Sequence, residues 1–420
     1  MRMLYSLLMS LAMPFFMLGF WRRSATHPGY RQRWSERLGR PAVMPLEKKK
    51  LVWVHAVSVG ESLAAKALIE RWLQADDGVQ FLVTTFTPTA SDLVQAWNFP
   101  VLHQYMPFDL TTMHRAMLSN YKPAMIVLME TEIWPNLIAL AHRENIPVAL
   151  SNARLSERSA RRYHRLRALV QPTFGQLARV MAQTEQDAIR LRAAGAIPER
   201  TLVTGSIKYD IDLSDHERLL QDTLRAELSD RPMIVAGSLH PGEEDVVLNA
   251  MQSLLMVYPR LIMVIAPRHQ ERFEPMAEKL QQLNVGFARR SAGALPASGD
   301  SVWLLDTVGE LRLFYGLGQI ALIGGSWIDR GGHNPMEAAM QKVPVITGPS
   351  TFNFNKATAQ LREAGALRET SARDLYKVML EWLRDPAVRD QAGIAGRAVV
   401  AANQGATQRQ LELLQAMIRD

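Results

Sequence analysis

Two parallel, doubly wound α/β domains are the architecture this sequence predicts, and three observations predict it. Short runs of Val, Ile and Leu, apolar along their whole length, alternate with segments of helical pattern, as in parallel sheets covered on both faces. The alternation stops at Gly205–Asp210 and starts again after a helical connector that reaches about Leu228. The chain has 420 residues, too many for one ordinary core.

The N-terminus comes first. From Met3 to Trp21 no residue is charged, and Leu, Met and Phe dominate. That length suits a hydrocarbon core, and Pro14 does not exclude the segment from one. Arg22, Arg23, Arg31, Arg33, Arg37 and Arg40 follow, so the positive-inside rule keeps this flank, and the bulk of the protein, cytoplasmic. A cleaved signal peptide is the competing reading. The stronger charge lies after the apolar run rather than before it, and Trp21-Arg22-Arg23 is a poor cleavage site. Residues 1–21 are therefore read as an uncleaved anchor, spanning the bilayer or lying in its interface. Residues 22–50, with Pro41, Pro45 and the run Lys48–Lys50, read as a basic juxtamembrane linker.

Strands of a first domain, 51–210, are predicted at Leu51–Val57, Phe81–Phe86, Val101–Met106, Ala124–Met129, Pro147–Ser151, Val180–Gln183 and Leu202–Thr204. Helices are predicted at Ser62–Leu73, Trp134–Arg143 and Ser156–Val170. The second domain, 211–420, has strand candidates at Met233–Ala236, Leu261–Ala266, Val302–Leu305, Ile320–Ile323 and Val343–Thr347. The closing stretch Val388–Ile418 is helical in pattern and is assigned to this domain, with packing back onto the first domain as the open alternative.

Composition narrows the function. The chain is 48% hydrophobic and 21% charged, the profile of a folded protein. Its net charge of +7 permits nucleic acid, anionic lipid or phosphorylated substrates without choosing among them. Having no cysteine excludes disulfides, thiolate catalysis and cysteine-ligated metals.

The chemistry-bearing residues cluster where predicted strands end, which is where open α/β sheets bind ligands. Glu61, after Ser58-Val59-Gly60, is a candidate proton acceptor. The bland alternative is a carboxylate that complements a helix dipole, and that dipole weakens a base while burial strengthens it. Glu130 and Glu132 close the fourth strand, as substrate holders or as caps. Lys208 at the domain junction could neutralise developing negative charge, or be a solvated lysine. Arg268 and His269 follow a strand of the second domain, and the guanidinium fork suits phosphate. Asp306–Leu311 offers helix-start amides. Gly324–Glu337 is the strongest local signal: its glycines admit a ligand close to the backbone, Pro335 starts a helix, and Glu337 can accept two ribose hydroxyls. It is neither a dinucleotide fingerprint nor a P-loop. Arg154, Arg158, Arg161, Arg162, Arg165 and Arg167 form either a solvated helix face or a patch for anionic lipid. No nucleic-acid motif accompanies the charge.

Taken together, the N-terminal anchor, Tyr30–Gly39 (YRQRWSERLG), His55–Glu61 (HAVSVGE), Thr85–Thr89 (TFTPT), Pro107–Asp109, Met129–Asn136 (METEIWPN), Asn152–Ser156 (NARLS), Thr204–Lys208 (TGSIK), Pro267–His269, Gly331–Pro335 (GGHNP) and Phe352–Phe354 resemble the bacterial 3-deoxy-D-manno-octulosonic acid (Kdo) transferases, nearly end to end. The resemblance implies a GT-B glycosyltransferase fold, two Rossmann-like domains around a central cleft. It implies inverting transfer of Kdo from the donor CMP-Kdo to the lipid A precursor lipid IVA in lipopolysaccharide synthesis, on the cytoplasmic side of the inner membrane, with anionic lipids as neighbours. Glu61 would be the general base, and Glu130 and Lys208 transition-state stabilisers. Arg268 and His269, Gly309, Glu310 and Leu311, and Asn334, Pro335, Met336 and Glu337 would hold CMP. No metal or other cofactor is expected. The rivals are a sugar-nucleotide 2-epimerase of the same architecture, which needs no anchor, and a non-catalytic lipid-binding membrane protein, which needs neither Glu61 nor the glycine-rich loop.

Overall fold

A computed structural model describes the chain, residues 26, 43, 44, 46–48, 211, 229, 230 and 420 excepted. Lys48 of the predicted lysine run lies outside the described residues. The chain divides into two compact units, Met1–Asp210 with Gln404–Asp420, and Ile211–Asn403.

The first unit holds strands β1 (Lys50–His55), β2 (Val79–Thr85), β3 (Leu102–Tyr105), β4 (Met125–Met129), β5 (Val148–Ala153), β6 (Arg179–Ala182) and β7 (Thr201–Val203). They form one sheet in the order β3-β2-β1-β4-β5-β6-β7, parallel at every pairing. Alternate side chains of one strand enter different cores: Leu51 and Trp53 join one, Val52 and Val54 the other. That is why these strands read as continuous apolar runs, since both faces are covered. The order reverses between β1 and β4, so the loops after these two strands flank the switch point where such sheets bind ligands.

The second unit repeats the plan with β8 (Met233–Leu239), β9 (Ile262–Pro267), β10 (Phe287–Arg289), β11 (Val302–Leu304), β12 (Ile320–Ile323), β13 (Val345–Thr347) and β14 (Leu367–Glu369), in the order β10-β11-β9-β8-β12-β13-β14. All its pairings are parallel. Here the order reverses between β8 and β12. The two edge strands, β10 and β14, are the ones the sequence pattern misses, and each is three residues long.

Three expectations are corrected. The last helix, Ala406–Arg419, belongs to the first unit: Leu411 and Leu414 are buried in the core that holds Val52 and Ile69. Asp210, where the chain leaves this unit, caps the returning helix by accepting from the amides of Gly405 and Thr407. The helix is separate from Pro386–Asn403 because Gly405 takes a left-handed φ of +85°. Likewise Ser156–Val170 is two helices, Glu157–Arg165 and Arg167–Gly175.

The third correction concerns the basic linker. Part of it packs into the fold. Arg37 is fully buried, its guanidinium 3.7 Å from the centre of the Tyr105 ring and 4.9 Å from that of Phe20, and it donates to the Phe86 carbonyl at 3.0 Å. Arg33 pairs with buried Glu36 at 2.7 Å. The preceding helix, Arg2–Arg23, is long and apolar enough to cross a membrane. Most of it is exposed, yet Phe20 is buried among Tyr30, Trp34, Phe86 and Phe108. Near its other end Ser6 donates to Asn136 at 2.9 Å.

Candidate active site

In the first unit the loops after β1 and β4 bring three carboxylates together. Glu61 lies in the first turn of the helix Val59–Ala75 and turns back on its own loop. One oxygen accepts from the Val57 amide at 2.7 Å and the other from the Ser58 hydroxyl at 3.0 Å. It is 8% exposed. Burial raises its pKa above the ordinary carboxylate value; the Val57 amide opposes this and the charge of Glu130 adds to it. The helix-complementing role and a strengthened base thus coexist, and burial outweighs the amide.

Glu130 follows β4 with a left-handed φ of 57° and is buried. It receives two cations, Lys208 Nζ at 2.6 Å and Arg154 Nε at 2.7 Å. Lys208 is partly exposed, and a Cβ placed on Gly60 would lie only 3.9 Å from its ammonium. The cation therefore stands beside the turn that carries Glu61. Arg154, read from sequence as part of an arginine patch, is instead a partner of Glu130. Glu132, a substrate holder or cap by sequence and given no role by the resemblance, is the third carboxylate. Burial raises its pKa to about 7, with the charges of Glu61 and Glu130 adding, and it accepts from the Trp134 indole at 3.1 Å. Its signal was present, as the second acid of Met129–Asn136.

In the second unit Arg268, His269, Gly309 and Leu311 line one cavity of about 410 Å³, with Ser238 and Thr307. Arg268 and His269 are exposed, and no described residue pairs with the Arg268 guanidinium. Glu310 does not face this cavity. Its carboxylate is held by Arg290 at 2.7 Å and by the Thr307 hydroxyl; burial pushes its pKa up, and these bonds outweigh that and hold it low. Pro335 and Met336 are buried, and Asn334 spans from the Met336 amide (3.2 Å) to Glu337 (3.4 Å). The Glu337 pKa is raised by burial, against the pull of Arg312, Asn334 and Arg268.

The glycine-rich loop differs from expectation. Its first amides are already occupied: buried Glu243 accepts from Gly325 at 2.7 Å, from Ser326 and Trp327 at 2.9 Å each, and from His240 at 3.0 Å. This carboxylate ties the loop after β8 to the loop after β12, across the switch point. Neither Glu243 nor His240 was picked out from the sequence.

Two all-parallel, doubly wound units, each with a polar constellation at its switch point, define a protein of the GT-B class. The solved structure of UDP-GlcNAc 2-epimerase from Neisseria meningitidis bound to UDP-GlcNAc shares this fold, with a TM-score of 0.60 over 87% of this chain and 100% of that one, at 17% identity. The family described as 3-deoxy-D-manno-octulosonic-acid transferase (kdotransferase) matches residues 32–211. The 3-deoxy-D-manno-octulosonic acid transferase of Haemophilus influenzae is 38% identical over 98% of both chains. That of Bordetella pertussis is 36% identical over 99% of both. The chain belongs to the 3-deoxy-D-manno-octulosonic acid transferase family and is a glycosyltransferase.

Proposed function

We propose that this enzyme transfers Kdo from CMP-Kdo to the lipid A precursor lipid IVA, releasing CMP, at the cytoplasmic face of the bacterial inner membrane. The carrying observation is Glu61, a buried carboxylate of raised pKa at a switch point, beside the Lys208–Glu130 pair. In this reading the acceptor's primary hydroxyl attacks the anomeric carbon of Kdo and gives its proton to Glu61. The bond from that carbon to the CMP phosphate breaks, the electron pair leaves with CMP, and the configuration inverts. Glu130, fixed by Lys208 and Arg154, and the Lys208 ammonium stabilise charge at the reacting centre. Arg268 and His269 hold the phosphate, the Gly309–Leu311 backbone and Asn334–Met336 the rest of the nucleotide, and Glu337 the ribose. The helix Arg2–Arg23, with Leu7, Leu8, Leu11 and Phe15 exposed, supports a membrane location.

Incubating the folded protein with CMP-Kdo and lipid IVA should raise the mass of the lipid by one or more Kdo units and release CMP. An unchanged lipid with intact donor would reject the reading. An epimerised free donor, formed without acceptor, would replace it by the epimerase reading. Arg268→Ala should raise the KM for CMP-Kdo about 10- to 100-fold, given about 1.5–3 kcal/mol for hydrogen bonds to a charged group. The KM for lipid should move little; equal loss for both substrates would remove Arg268 from the donor site.

A further inference from the structure

The loops after β8 and β12 are joined a second time, by two histidines. The rings of His240 and His333 lie parallel within 9°, with centroids 5.1 Å apart and their Nε2 atoms separated by 2.9 Å. A contact of that length between imidazole nitrogens holds one proton, donated by one ring and accepted by the other. Were both rings charged, both nitrogens would be donors, and two like charges would be stacked. The seat of His333 is built into the glycine-rich loop: a Cβ on Gly325, whose φ is +70°, would lie 3.1 Å from the ring.

Two guanidinium groups and a third imidazole surround the pair. His269 packs edge-on against His240 at 5.4 Å, and Arg268 and Arg330 act on the pair from the loops after β9 and β12. Among the described residues the acid acting on it is Glu243, whose oxygens already accept from four backbone amides. Burial lowers the pKa of His240 and brings that of His333 to about 4; the charge of Arg268 adds to this at both rings and that of Arg330 at His240. Beside them the unpaired Arg268 lines the 410 Å³ cavity. The arrangement is a neutral pair beside two guanidinium groups, at the switch point, where an added negative charge favours the protonated form.

We propose that His240 and His333 share one proton in the free protein and take up a second when an oxyanion of the donor settles beside Arg268, so that both rings then donate outward and the pair becomes part of the anion-binding surface. The proposal rests on the donor site argued above. The added proton comes from solvent, and no covalent bond changes.

The test is calorimetric titration of the full chain with CMP near pH 7, in two buffers of different ionisation enthalpy, for the wild type, His240→Gln and His333→Gln. Comparison between chains cancels the nucleotide's own ionisation. The wild type should take up a fraction of a proton, approaching one, beyond either variant. Its CMP affinity should rise as pH falls from 8 to 6.5, by up to about tenfold per unit for one linked proton, and the variants should lose that slope. Cytidine, lacking phosphate, should bind without uptake. Uptake with CMP assigns the phosphate as the partner; uptake with CMP-Kdo alone assigns the sugar carboxylate, and either supports the pair. Should one variant fail to fold by circular dichroism, the other carries the comparison, and the wild-type slope is read in any case. CMP binding with the same proton count in all chains would overturn the pair and leave the donor site standing. Failure of folded wild type to bind CMP or CMP-Kdo would overturn both.

Discussion

Glu61→Gln should lower kcat by about 10²- to 10⁴-fold, the span that general-base catalysis contributes, without loss of the folded state. The glutamine oxygen can still accept from the Val57 amide, and the Ser58 hydroxyl is free to rotate, so the turn keeps its shape. The pH profile carries a sign. The base works as a carboxylate, and burial raises its pKa, so activity should fall on the acid side at a higher pH than for an exposed glutamate. Glu132 interacts with Glu61, and its own pKa is about 7. Coupled carboxylates titrate as a group, and the apparent values belong to the group. Glu61→Gln removes a negative charge beside Glu132, so it should also lower the Glu132 pKa from about 7, read by NMR titration of its carboxyl carbon. Wild-type turnover in Glu61→Gln would remove the base assignment; a Glu132 pKa unmoved in Glu61→Gln would remove the coupling.

The sheets were legible because their strands are buried on both faces: Leu51–Val54 and Met125–Met129 send alternate side chains into different cores and leave no polar face to blur the run. The edges Phe287–Arg289 and Leu367–Glu369 are short and end in a charged residue, so no apolar run marks them. Arg37 could not be read correctly, because a guanidinium stacked on Tyr105 and Phe20 looks in sequence like any other flanking charge. The candidate site shows the same limit in sharper form. The pairs Gly60-Glu61, Gly242-Glu243 and Gly309-Glu310 each open a strand-to-helix turn, and nothing local separates them. Partners from distant segments do. Glu310 is held by Arg290, and Glu243 by the loop after β12, whereas Glu61 keeps only its own turn and faces Glu130 and Glu132. Sequence identifies the positions where a carboxylate can act; which of them is left able to act depends on contacts made only in the folded chain.

Glu243→Ala should do the greatest structural damage of any substitution at the donor loops. It leaves the amides of His240, Gly325, Ser326 and Trp327 without their acceptor, all close to the buried carboxylate. A buried donor left unsatisfied costs about 1–3 kcal/mol, so four cost about 4 kcal/mol or more even after partial relaxation toward water. At about 2–4 °C per kcal/mol for a unit of 150–250 residues, the melting transition of the second unit should fall by about 8–16 °C, while that of the first unit stays in place. Glu243→Gln should lie between: its single oxygen can accept from part of the set, but its NH2 confronts amide donors. Because the same carboxylate fixes the His240 amide, CMP affinity should fall with loop order in both variants, including at temperatures where the unit is still folded. A Glu243→Ala chain that melts within about 2 °C of the wild type and binds CMP equally well would show that the loops after β8 and β12 hold their shape without it. The tie across the switch point would then have to come from elsewhere, and the histidine pair is the other joint available.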